Sequence, residues 1–174
     1  MPERRDRNQL LTLTEVATAA KNVALVSGGH HPTAIIEGEG GTLAIQIDPL
    51  APTFEGRAQQ FFLIGHAIAQ TGEVGVLQQT FFISEGWMSS SQEGKPPTIP
   101  PSQDPQRQEV LIVSHLNVQT AHAGMVMYEM RRNRKGRLIG MSESVAPSEG
   151  IEVSSPLLEA LAQGFLGLAG KLDD

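Results

Sequence analysis

The chain has no cysteine. That one absence removes disulfides, thiolate zinc sites and a cysteine nucleophile together. It is compatible with a reducing compartment. Aromatic residues are scarce as well, at 5%, with one tryptophan and one tyrosine. None interleaves with the basic cluster at 131–137, so the stacking surface of an RNA-binding sheet is missing. No run reaches the roughly 18–20 apolar residues that a membrane-spanning helix needs. The opening residues, Met1 to Arg7, are charged and lead into no apolar core of signal-peptide type. A soluble cytoplasmic protein is therefore expected, with no membrane partner.

Catalytic signatures are absent too. There is no G-x-S-x-G elbow and no phosphate-binding Walker loop. Gly38-x-Gly40-Gly41 is a turn composition, since no helix follows it. The five histidines, His30, His31, His66, His115 and His122, lack the i, i+4 spacing that pairs ligands on a helix. His30-His31-Pro32 is superficially similar to the H-x-H-P part of JAMM-type zinc peptidases. The intervening residue is missing, and no serine and aspartate follow at the spacing that family uses. No metal and no cofactor are expected. The residue nearest to a ligand role is His31, which could join Glu85 and Glu109 if the first hairpin packs beside the third strand.

What the chain does contain is enough for one ordinary domain. It has 174 residues, 40% hydrophobic and 18% charged. The net charge of -6 argues against a generic nucleic-acid binder. Basic residues are unevenly spread: Arg131, Arg132, Arg134, Lys135 and Arg137 fall within seven positions. That patch reads as a solvated hairpin tip or as a handle for a protein or other anionic partner.

Periodicity gives the elements. Residues 1–9 read as a flexible arm and 10–172 as a single domain. Thr12-x-x-Glu15 is a capping box that starts a helix with Val16, Ala19 and Ala20 as its stripe. Val23–Val26 is a short apolar stretch broken by Gly28-Gly29. Thr33–Glu37 and Thr42–Asp48 form a hairpin, with Gly38–Gly41 supplying positive-φ turn residues. Glu55–Thr71 is a helix with Phe61, Ile64 and Ile68 inward and Gly72 ending it.

Val74–Glu85 is a strand apolar on both faces, Val76 included. Glu109–Val118, Ala121–Arg131 and Arg137–Val145 are three more strands, and Asn133–Gly136 turns between the last two. Ser155 and Pro156 begin a final helix, with Leu157, Leu161, Phe165 and Leu168 inward. Gly164, Gly167 and Gly170 within it would allow close packing against the sheet or another subunit. The order is helix, two strands, helix, four strands, helix. The expected fold is α+β, a mostly antiparallel sheet of about six strands with three helices.

One stretch concentrates the candidate chemistry. Ser84-Glu85-Gly86-Trp87 closes the third strand, and Asp104-Pro105-Gln106-Arg107-Gln108-Glu109 opens the fourth. Five of the 11 prolines lie at 96, 97, 100, 101 and 105. They make regular structure between 88 and 106 unexpected. Antiparallel pairing would bring Glu85, Trp87, Arg107 and Glu109 together at one sheet end. In one reading Arg107 pairs with Glu85, Glu109 or Asp104, and Trp87 plugs the sheet. In the other, Glu85, Arg107 and Glu109 are catalytic candidates, while His31, Trp87 and Asp104 recognise a ligand.

The S-E-x-W pattern followed by D-P-x-R-x-E resembles a family of uncharacterised bacterial proteins. Its members often carry alanine where this chain has Gly86. Many also have a histidine followed by proline ahead of the first hairpin, similar to His31-Pro32. The likeness spans about residues 28–115, and it implies no activity. The favoured expectation is a non-enzymatic binding or assembly module, a homo-oligomer that uses residues 84–109 for recognition. The alternative is a small hydrolase or metal-dependent enzyme near Glu85, Arg107 and Glu109.

Overall fold

The computed structural model describes residues 9–89, 99–100, 103–144 and 155–167. Its frame is one six-stranded sheet, ordered β2-β1-β3-β4-β5-β6, with every neighbouring pair antiparallel. The strands are β1 (Thr33–Gly38), β2 (Gly41–Gln46), β3 (Leu77–Met88), β4 (Gln108–Asn117), β5 (His122–Arg132) and β6 (Leu138–Glu143). Among the described residues three helices complete the α+β fold: α1 (Leu13–Ser27), α2 (Phe54–Thr71) and α3 (Pro156–Leu166).

Successive side chains of a strand point to opposite faces, and the apolar central strand therefore feeds two cores. Phe82 joins Ala34, Ile36 and Leu116 beneath α2 and α3, where Phe61 meets it edge to face at 4.7 Å. Phe81 and Ile83 join Leu111, Val113, Tyr128 and Met130 beneath α1. One helix thus covers one face and two helices cover the other.

Local chemistry sets the helix ends. Thr12 accepts the Glu15 N–H, and the Glu15 carboxylate accepts the Thr12 N–H at 2.7 Å, completing the capping box. Residues 23–26 are the last turns of α1 rather than a separate apolar stretch, because no breaker precedes Gly28. Gly28 ends the helix at φ 80°. Gly72 ends α2 at φ 71°, a left-handed conformation that costs glycine nothing.

Several other expectations shift. The third strand starts at Leu77, three residues late, and Val76 is 57% exposed. Glu39 and Gly40 donate their N–H groups to the Val76 and Val74 carbonyls, so this segment is used as backbone that braces the first hairpin. In α3 the innermost leucines are Leu158 and Leu161, with Leu157 and Phe165 half-buried. The reason is that α3 faces α2 as well as the sheet.

The α2–α3 contact explains a glycine. A Cβ at Gly164 would sit 2.0 Å from the Phe62 carbonyl oxygen, and one at Gly65 would sit 2.0 Å from that of Leu161. The two backbones touch through these glycines, so Gly164 serves a contact within the chain instead of one between subunits. Leu168 and Gly170, like most of the 1–9 arm, lie outside the described residues.

Candidate functional site

The β3–β4 register places Glu85 opposite Leu111 and Trp87 opposite Glu109. The sequence argument for convergence rested on this pairing, and all four strand positions share the α1 face. The partners that the side chains choose are different from those expected. Glu109 is held by Arg132, whose Nε and Nη2 donate to the two carboxylate oxygens at 2.7 and 2.8 Å. Arg132 also donates through Nη1 to the Gly28 carbonyl at 2.8 Å, just past the end of α1. The Glu109 hydrogen bonds hold the Arg132 guanidinium even more firmly in its charged form. Arg107 instead lies over the Trp87 ring, 4.4 Å from its centroid.

Trp87 is 46% exposed and does not plug the sheet. Near the β3 end, the Glu85 carboxylate accepts the His30 N–H at 2.6 Å. Asp104 caps its own turn, accepting the Gln106 N–H on its side chain and the Arg107 N–H on its carbonyl. His31 is exposed, and its carbonyl accepts from the His30 ring. Among the described residues no group of three or more histidines and acids could hold a metal.

A second polar assembly lies farther along the same face, and nothing in the sequence singled it out. Glu37 is only 6% exposed. Its carboxylate accepts the Leu11 N–H at 3.0 Å, the Gln79 amide and the Thr42 hydroxyl. Gln79 in turn accepts from the His115 Nε2–H at 2.8 Å. His115 is stacked on Phe81. Burial first, and then the neighbouring His122, push the His115 imidazole below its ordinary value. The signal available beforehand was a charged residue ending an apolar strand, which reads equally well as a solvated strand end.

The basic patch is divided by the β5–β6 hairpin. Arg132 is drawn into the clamp on Glu109. Arg131 points to the opposite face, and its guanidinium lies across β6 at Gly140. Arg134, Lys135 and Arg137 are exposed around the turn, where Gly136 takes φ 78°. Arg132 could have been separated from its neighbours only by strand parity, since it alone shares the face of Glu109 at that end.

Compared with known protein families, with curated proteins and with solved structures, the chain matches none of them.

Proposed function

We propose that this chain is a non-enzymatic binding or assembly module of the cytoplasm, which self-associates and recognises a partner through the 84–109 region. Trp87 carries the reading. Its ring is half-exposed at the end of a strand whose surroundings are pinned by the Arg132–Glu109 pair and by the Glu85 contact to His30. Arg107 supports the ring from above. An aromatic side chain held on a rigid base loses little entropy on binding, and such residues dominate interface energies.

Self-association is supported by the edges of the sheet. Among the described residues, β2 and β6 each have a neighbour on one side only. Exposed strand edges offer unpaired backbone groups to another chain. The alternative, a hydrolase or metal-dependent enzyme at Glu85, Arg107 and Glu109, has less support. Both carboxylates are already engaged in contacts that hold α1 and the sheet together.

Light scattering on a sizing column tests the proposal. The wild-type mass should exceed the 18.7 kDa of one chain. Trp87→Ala should shift the population towards monomer with an unchanged melting temperature. A wild-type chain that stays monomeric at its highest soluble concentration overturns self-association.

A further inference from the structure

Strand β2 is an edge, and half of its backbone groups are turned outward. Ile47 donates its N–H to the Pro32 carbonyl at 2.8 Å, so positions 47 and 32 form a hydrogen-bonded pair. Bonded and non-bonded pairs alternate along an antiparallel ladder. The β1–β2 register therefore turns the N–H and C=O groups of Leu43 and Ile45 towards β1. Those of Thr42, Ala44 and Gln46 point away from it. Among the described residues no strand lies on that side.

The two edges of the sheet are guarded unequally. β2 reads Gly-Thr-Leu-Ala-Ile-Gln, with no charge and no proline, and its pairing with β1 has no register shift. β6 ends on Glu143, its pairing with β5 shifts at Arg131/Arg132, and the Arg131 guanidinium lies across it at Gly140. Charges and bulges of this kind keep natural sheet edges from pairing. The surroundings of β2 are open on the α1 face as well. α1 packs chiefly on β4, β5 and β6, and the side chains of Thr42, Ala44 and Gln46 are exposed.

We infer that β2 is a contact through which two copies of this chain join, antiparallel about a twofold axis at Ala44. The inference rests on the self-association proposed above and names one of its surfaces. Among twofold registers, this one alone pairs all three outward residues with one another. Ala44 meets Ala44 and Thr42 meets Gln46, each in a bonded position. On the other face Leu43 meets Ile45 in the closer, non-bonded position, where apolar cross-strand pairs stabilise a sheet. Both residues already border the core beneath α2 and α3, so that core continues across the axis. No charged residue enters the pairing, which suits two copies that each carry a net charge of -6.

The test uses the absence of cysteine, since engineered thiols in the full chain then report the register directly. Cα atoms of a bonded antiparallel pair lie about 5.5 Å apart, within the roughly 4.4–6.8 Å that a disulfide spans. Ala44→Cys should therefore link into a covalent dimer under a mild glutathione redox buffer. Thr42→Cys puts its thiol on the same exposed face, but the axis separates the two copies of that position by about 14 Å. It should not link by itself, and it should link when mixed with Gln46→Cys. Ala44→Lys sets two ammonium groups face to face. It should weaken association about tenfold or more in sedimentation equilibrium, with an unchanged far-UV circular dichroism spectrum.

A wild-type chain that stays monomeric overturns both this contact and the self-association on which it rests. An associating wild type overturns the contact alone if Ala44→Cys links no faster than Thr42→Cys, the mark of random collision or another register. Undiminished association of Ala44→Lys does the same.

Discussion

The two faces of the sheet are covered by different physical means. On the α2 and α3 side the packing is close and mostly apolar. Two glycines let backbone meet backbone, and Phe61 meets Phe82 edge to face. Under α1 the helix presents alanines, with Ala17, Ala20 and Ala24 buried. These side chains fill little volume, and polar contacts secure the two ends. Glu37 takes the Leu11 N–H before the helix, Glu85 takes the His30 N–H after it, and Arg132 holds the Gly28 carbonyl. One face depends on shape, and the other depends on charge and hydrogen bonds anchored in the strands. The difference predicts which perturbations each face will resist.

The largest effect should come from the packed face. Gly65→Val or Gly164→Val drives a branched side chain into a carbonyl oxygen of the facing helix. Each should cost about 3 kcal/mol in urea unfolding, and the loss should be the same at low and high salt. A loss that varied strongly with salt would break the contrast.

Next is the pinned face. Arg132→Ala leaves Glu109 without its partner and releases the end of α1. The pair is partly exposed, at 26% and 18% of its side-chain surface. The expected cost is therefore discounted to about 2 kcal/mol. Hydrogen exchange should show α1 opening more readily than α2 or α3, and equal protection of all three would count against the pinning.

Acid should act on the pinned face as well. The folded state holds the His115 proton less tightly than the unfolded chain, whose ordinary value is 6.5. The unfolded state therefore binds more protons as pH falls through 6.5 towards the lowered folded value. Stability should decline over that interval. His115→Gln removes this component, so the drop in melting temperature between about pH 7.5 and pH 5.5 should shrink. An unchanged drop would place the acid sensitivity elsewhere.

The smallest effect concerns a buried hydroxyl. Thr80 is fully buried, and its Oγ1 has no hydrogen-bond partner among the described residues. Thr80→Val keeps the shape and removes the unsatisfied group. A gain of about 1 kcal/mol is expected, or roughly 2–4 °C in melting temperature. A loss would mean that the hydroxyl is satisfied in solution.

Element type and order were legible because they depend on neighbours in the chain. The Thr12–Glu15 box, the turn glycines and the 3.6-residue stripe of α2 are local signals, and each element forms near its expected bounds. The meeting of Glu85, Trp87 and Glu109 was legible for the same reason, as antiparallel neighbours fix which residues face each other. The partners of those residues were not. A guanidinium reaches far enough that Arg107 and Arg132 are equivalent in sequence, and the β5 register decides between them. The Glu37–Gln79–His115 chain joins three strands and was invisible until the strands were side by side.

Local sequence patterns are enough to specify an α+β chain with an apolar central strand, capped helices and a cluster of charges at one sheet end. Hydrophobic period and turn chemistry act over a few residues, so they can be read without coordinates. Long-range packing is what holds α1 by its ends, joins α2 to α3 through two glycines, and gives Glu109 to Arg132 while Arg131 turns to the opposite face. Those outcomes depend on distances between residues far apart in the chain, and burial and strand parity set them once the sheet has formed.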